Sequence, residues 1–178
     1  MTLDPLSSFR LDGRVAIVTG ASSGLGARFA RVLSAAGASV VITARREKRL
    51  RELAGDLGDA HVHVCDLSIE GAASGLVDAA VERYGHVDVL VNNAGSSEPV
   101  PALDQTTDHF TATLQVNLIA PFELARDTAR VMIESGRGGA IVNIASIWGL
   151  VGVGQIPEAG YAAWHGGRGY MSRGAGAE

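Results

Sequence analysis

From Val15 onward, short apolar runs rich in Val and Ile alternate with longer segments whose apolar positions recur at helical spacing. That alternation predicts βαβ units and a parallel sheet buried on both faces. The runs Val15 to Thr19, Ser39 to Thr43, His61 to Cys65, Val87 to Val91 and Ala140 to Ala145 predict five strands. Between the first two, Leu25 to Ala36 carries Phe29, Val32, Leu33 and Ala36 as one helical stripe, with Gly37 placed to end it. Arg46 to Leu57, Ser68 to Tyr84 and Asp104 to Glu134 predict the remaining crossover helices, with Ser68 as an N-cap and Glu70 close behind it. The expected architecture is a doubly wound parallel α/β sheet in three layers, α/β/α.

Composition narrows the classes of function. A chain of 178 residues with 47% hydrophobic content can bury one sizeable core. Fifteen basic against 19 acidic residues give a net charge of -4 without a long like-charge run, so no basic stripe of the kind a nucleic-acid binder needs is expected. Cys65 is the lone cysteine; it excludes an internal disulfide, and its apolar segment predicts a buried, inert thiol. No stretch offers the roughly 18 consecutive apolar residues of a membrane span, and the first residues lack the apolar run of a secretion signal. A cytoplasmic protein with no metal site, no nucleic-acid partner and no membrane partner is expected.

The pattern breaks near the end. Five of the fifteen residues from Trp164 to Glu178 are glycine, and none is Leu, Ile or Val. A helix there would lose roughly 1 kcal/mol per glycine relative to alanine. Residues 1–163 are therefore read as the ordered domain and 164–178 as a disordered tail.

The candidate chemistry begins where the first strand meets the first helix. Thr19-Gly-Ala-Ser-Ser-Gly-Leu-Gly26 is a strand-to-helix turn whose glycines admit positive φ and close backbone approach. The helix start offers unpaired N–H groups and partial positive charge to a pyrophosphate, with the hydroxyls of Ser22 and Ser23 as extra donors. Its spacing differs from the more familiar G-x-G-x-x-G fingerprint, and a tight turn without a ligand is the alternative.

This turn resembles the TGxxxGxG motif of the short-chain dehydrogenase/reductase family, and Asn92-Asn-Ala-Gly95, after the fourth strand, resembles that family's NNAG motif. The resemblance covers residue 11 to about residue 163. It implies a Rossmann-like sheet, incomplete at its C-terminal end, with a dinucleotide at the switch point between the first and fourth strands. Gly20, Ser22, Ser23, Gly24, Leu25 and Gly26 would then hold the pyrophosphate side, Asp66 and Leu67 the adenine, and Asn93, Ala94 and Gly95 the far wall. Where an NAD-preferring member carries Asp at the end of the second strand, this chain has Ala44 followed by Arg45 and Arg46. Two guanidiniums suit a ribose 2′-phosphate, so NADP is expected over NAD, although both arginines could instead begin a solvated helix.

The resemblance also implies hydride transfer between the nicotinamide and an alcohol or carbonyl substrate, whose pocket Ser96 to Ala102 and Trp148 to Pro157 are expected to border. Ser146 would hold the carbonyl oxygen, Tyr161 would protonate it, and Asn117 would support a proton-relay water. By its residue type alone, without the resemblance, Asn117 reads rather as a satisfied core asparagine. Four residues after Tyr161, where the family carries lysine, stands His165. An ammonium about 4 Å away, at an effective dielectric near 20, is worth roughly 4 kcal/mol, or about 3 pKa units, to a tyrosinate. A histidine of ordinary pKa is only about one quarter protonated at neutral pH, so most of that help is expected to be missing. A shifted reading frame or early end near Ala163 is one expectation from this abrupt change, and it would expose the fifth strand as a sheet edge. An impaired dinucleotide-binding module and a non-functional fragment thus stand as alternatives to an active oxidoreductase. The family's common homo-oligomer is put in doubt by the same tail.

Overall fold

The central parallel strands are apolar along most of their length because helices cover both faces of the sheet. In the computed structural model, residues 7–147, 150, 160 and 163–167 are described. Strand β1 (Val15–Thr19) leads through a tight turn into α1 (Gly24–Ala35), followed by β2 (Ser39–Ala44), α2 (Glu47–Gly55), β3 (Ala60–Val64), α3 (Ser74–Tyr84) and β4 (Val89–Asn92). Helix α4 (Thr107–Leu114), a π-helical turn (Gln115–Ile119) and α5 (Ala120–Glu134) then lead to β5 (Ala140–Asn143). The strands pair in parallel in the order β3-β2-β1-β4-β5. The five expected strands form at their expected places, to within a few residues.

The period-two alternation of a strand divides the core in two. Val15 and Ile17 of β1, Val41 of β2 and Leu90 of β4 face a cluster with Leu76, Val77 and Ala80 of α3 and Leu124 and Met132 of α5. Ala16 and Val18, Val40 and Ile42, and Val91 face the other way, onto Ala30 of α1 and Leu50 and Leu53 of α2. Each fully buried Ile or Leu contributes about 1.5–3 kcal/mol to these interfaces. At the sheet's edge, β5 is less covered, and Val142 is 44% exposed.

Two elements differ from their sequence expectation. Helix α3 begins at Ser74 rather than Ser68. The Asp66 carboxylate accepts both the amide and the hydroxyl of Ser68, at 3.0 and 2.7 Å. Ser68 is therefore a donor to Asp66 and caps nothing, and Gly71 at φ +76° keeps the segment in turns. The stretch expected as a single helix from Asp104 to Glu134 is broken by the π-helical turn, where the Ala120 amide reaches back to the Gln115 carbonyl. Pro121, which has no N–H, follows at once in α5. Gly37 ends α1 as expected, at φ +108°. Ala163 to Gly167 are helical, and Trp164 and His165 are buried; the remainder of the expected tail lies outside the described residues.

The strands' N-terminal edge is tied together by one buried carboxylate. Asp88 is 2% exposed. It accepts from Arg14 at 2.7 Å, from the Val15 amide at 2.9 Å and from Arg137 at 3.3 Å, and His86 lies 3.1 Å away. Burial pushes the Asp88 carboxyl up, but Arg14, the Val15 amide and Arg137 outweigh it and hold the group below its ordinary value. Because the folded value is depressed, the stabilisation is complete above the unfolded carboxyl value of about 3.9 and is lost as pH falls through the folded one. Asp88→Asn is expected to cost about 1.5–3 kcal/mol in denaturant unfolding near neutral pH. The variant should also show a flatter loss of stability below about pH 4 than the parent chain.

Candidate functional site

At the opposite edge, where strands end and helices begin, the chain opens a cleft of about 410 Å³. Its position follows from the strand order. The chain leaves β1 toward α1 on one face and leaves β4 toward the other face, so a gap opens between the two exits.

The glycine turn and the Asn-Asn-Ala-Gly segment meet across that gap. The Thr19 hydroxyl accepts the Asn93 amide at 3.0 Å and the Ala94 amide at 2.9 Å, and donates to the Val91 carbonyl at 3.4 Å. The Asn93 side-chain amide donates to the Thr19 carbonyl at 2.9 Å. Packing is so close that a Cβ on Gly20 would stand 2.9 Å from the Ala94 Cα, while Gly20 itself sits at φ +67°. A Cβ on Gly26 would stand 2.6 Å from Asn93 Nδ2 and would also overlap the Gly20 carbonyl. Gly24, at φ +56°, needs glycine for its dihedral alone, since nothing lies within 4 Å of a Cβ there.

Cationic and hydroxylic groups converge on one end of the cleft. Arg46 donates from Nε and Nη2 to the Ser22 hydroxyl at 3.0 and 2.7 Å, and from Nη2 to the Ser23 hydroxyl at 2.6 Å. Ser23 stands at the N-cap of α1, but its side chain makes no capping bond; its oxygen serves Arg46 instead. Arg45 and Ala44 complete this wall. Asp66 and Leu67 line the middle. The Asp66 carboxyl is held below its ordinary value, first by the Ser68 amide, against burial, with help from the Ser68 hydroxyl and the charge of Arg45. Cys65 also lines the cleft; it is half-buried, and burial, followed by the Asp66 charge, pushes its thiol up, so it is an unreactive group at neutral pH.

Asn93, Ala94 and Gly95 form the far wall, which continues through Ser96. Asn117 braces it from behind. Its Oδ1 accepts the Ser96 amide at 2.9 Å, and its Nδ2 donates to the Ser96 carbonyl at 2.6 Å and the Thr113 carbonyl at 2.8 Å. Both ends of the Asn117 side chain are thus engaged in holding backbone. Ser146 lies just past β5, on the same edge of the sheet. The neighbouring strand ends are joined there by the Ile144 amide donating to the Asn92 carbonyl at 3.0 Å and by Asn92 Nδ2 donating to Asn143 Oδ1 at 3.0 Å.

The structure therefore brings Gly20, Ser22, Ser23, Arg45, Arg46, Asp66, Leu67, Asn93, Ala94 and Gly95 onto one cleft, with Gly26 packed beneath it. Leu25 is not on the wall and is 61% exposed. Tyr161 lies outside the described residues, as does most of the segment from Trp148 to Pro157 expected to border a substrate. Glu98 lies in the loop from Ser96 to Ala102 expected to border a substrate, and it lines the cleft together with His109 of α4, which no sequence signal pointed to; His109 Nε2 is 3.7 Å from a Glu98 oxygen. Neither belongs to a motif, and only folding brings that loop over α4. Thr19, by contrast, was legible as the first letter of the glycine motif, and its hydroxyl is what joins the two motifs.

A doubly wound parallel sheet with a glycine cradle and a phosphate-suited cluster at its switch point defines a dinucleotide-binding α/β protein. The chain belongs to the short-chain dehydrogenase family, whose family model matches residues 14–175 and so extends beyond Ala163. Among curated relatives, it is 39% identical over 145 residues to a (5R,7aS)-5-hydroxy-7a-methyl-1-oxo-2,3,5,6,7,7a-hexahydro-1H-indene-carboxyl-CoA reductase of Mycobacterium tuberculosis, covering 78% of this chain and 55% of the relative. It is 37% identical over 142 residues to a D-threitol dehydrogenase of Mycolicibacterium smegmatis, covering 78% and 54%. The chain thus spans about half the length of these relatives. A solved short-chain type dehydrogenase/reductase from Mycobacterium marinum superposes with a TM-score of 0.92 at 28% identity, covering 97% of this chain and 72% of that one. A 7α-hydroxysteroid dehydrogenase complexed with NADH and 7-oxo glycochenodeoxycholic acid superposes with a TM-score of 0.87 at 31% identity, covering 96% and 66%. No helix among the described residues is long and apolar enough to cross a membrane.

The cradle makes a direct prediction. Gly26→Ala is expected to cost about 1–3 kcal/mol of stability through overpacking and to abolish any dinucleotide-induced rise in melting temperature. Gly24→Ala, strained only in its dihedral, should cost about 1–2 kcal/mol. Calorimetry of both variants with and without nucleotide checks the contrast.

Proposed function

We propose that this chain carries the cofactor site of an NADP(H)-dependent oxidoreductase acting on an alcohol or carbonyl compound. The observation that carries this reading is the cradle between Gly20, Gly26 and Asn93, too close for any Cβ, with the hydroxyls and guanidinium of Ser22, Ser23 and Arg46 beside it.

The residues fit a dinucleotide. Glycines leave the backbone of the turn open to a pyrophosphate, and the first turn of α1 supplies N–H donors that no side chain caps. Arg45 and Arg46 would take the ribose 2′-phosphate, since a guanidinium offers paired donors of the right geometry and no carboxylate stands at Ala44 to receive a 2′-hydroxyl. Asp66, ionised at neutral pH, is an acceptor suited to the exocyclic amine of adenine, with Leu67 against the ring. A nicotinamide cofactor supplies the hydride when bound. Ser146 would orient the substrate oxygen by hydrogen bonding, and Tyr161 would exchange the proton. Asn117 would act by holding the loop at Ser96. Pro121, four residues on, has no N–H to give the Asn117 carbonyl, which suits that carbonyl to a relay water.

Thermal unfolding with NADPH or NADH tests the reading. At about 100 times its dissociation constant a ligand adds about 2.7 kcal/mol, so NADPH should raise the melting temperature clearly and NADH less. Arg46→Ala is expected to weaken NADPH binding by about 10–100-fold, the loss of charge-assisted hydrogen bonds, while leaving NADH nearly unchanged. A melt that responds to neither nucleotide would remove the reading. Equal responses would remove the NADP preference alone.

A further inference from the structure

The turn that carries Ser146 is held from outside the sheet. The ladder between β4 and β5 reaches Ile144, whose amide donates to the Asn92 carbonyl. Two residues further on, the Ser146 amide donates to Nδ1 of His165 at 2.9 Å. His165 is 4% exposed, as is Trp164, and the two rings stack with centroids 3.4 Å apart and planes 29° from parallel. The imidazole is therefore a buried part of the structure at the end of β5, and its place along the chain, four residues after Tyr161, is where the family resemblance led to the expectation of lysine.

The direction of this hydrogen bond restricts the chemistry of the ring. An imidazolium carries protons on both nitrogens and cannot accept. A neutral imidazole accepts at Nδ1 only when its proton is on Nε2. Lysine could not make the bond at all, because an ammonium has three donors and no acceptor. Position 165 in this chain has exchanged a cation for an acceptor aimed at the backbone of the serine turn.

We propose that His165 is a positioning residue for Ser146. As the neutral Nε2–H tautomer it holds the Ser146 amide, sets the place of the turn that presents the serine hydroxyl, and supplies no positive charge to the site. The bond itself is independent of the oxidoreductase reading; what the Ser146 hydroxyl is positioned to do rests on it.

The test uses the full chain with isotope-labelled histidine. Long-range proton–nitrogen correlation near neutral pH reads the tautomer of each of the five histidines, and His165→Gln assigns the signals of His165 by their loss. The expected result is a protonated Nε2 and a bare Nδ1. A proton on Nδ1, or on both nitrogens, overturns the proposal, and this readout needs no variant to be active. Amide exchange at Ser146 should quicken about fivefold in His165→Ala, the equivalent of one hydrogen bond. His165→Lys should exchange at least as fast as the alanine variant, whereas His165→Gln, which keeps an acceptor oxygen, should recover part of the protection. Unchanged exchange in the alanine variant overturns the proposal. Where a variant does not fold, the tautomer in the parent chain decides. Melting with NADPH runs in parallel, and His165→Ala should keep the parent's nucleotide shift because the bond serves the serine turn. Loss of that shift in a folded alanine variant overturns the assignment to Ser146. A parent chain with the expected tautomer but no nucleotide shift overturns the oxidoreductase reading and supports the hydrogen bond alone.

Discussion

The lashing of β1 to β4 by the Thr19 hydroxyl is the contact on which the cleft depends. One oxygen takes the amides of both Asn93 and Ala94, and Asn93 returns a bond to the Thr19 carbonyl. The two chain segments must part just beyond this point, because the crossovers lead to opposite faces of the sheet. Holding them together up to that point, and no further, makes the gap narrow at its floor and open above. Gly20 and Gly26 are consequences of the same lashing: the segments lie too close for a Cβ on either. The start of α1, and with it Ser22 and Ser23 within reach of Arg46, is placed by where that turn is pinned.

The strands' opposite edge is held by different chemistry. Asp88 gathers Arg14, Arg137 and the Val15 amide at the beginning of β1 and β4, so the same two strands are tied at both ends. At the N-terminal edge the tie is a buried charge with its partners, costly to break. At the C-terminal edge it is neutral hydroxyl and amide, which leaves the donors of the glycine turn and the guanidinium of Arg46 facing the cleft. This division matches the general placement of stability at one edge of a parallel sheet and of ligands at the other.

Behind the far wall, Asn117 is committed to structure by its side chain. Its side chain is spent on Ser96 and Thr113, as a satisfied core asparagine's would be. Yet it sits in the π-helical turn before Pro121, where regular helical hydrogen bonding is interrupted. The amide thus serves the loop, as the core-asparagine reading expects, and the proposed relay would fall to the backbone.

Period, composition and turn chemistry determined the five strands, the helix that follows the glycine turn and the identity of most cleft residues, because each is a local signal. A run such as Val40-Val-Ile42 reads as a buried strand wherever it lies, and glycines at a strand-to-helix junction announce close backbone approach before any partner is known. The start of α3 was misplaced for an equally local reason: the Ser68 hydroxyl reads as a cap, whereas Asp66 two residues earlier is the stronger acceptor and claims it. The partners across the fold were left to tertiary structure. Which face of β1 met which helices, the convergence of Glu98 and His109 on the cleft, and the pairing of His165 with the Ser146 amide all join residues far apart in the chain. Nothing in the local pattern distinguishes an imidazole exposed to water from one buried with Nδ1 against a backbone amide; packing made that choice by burying the ring beside the Ser146 turn.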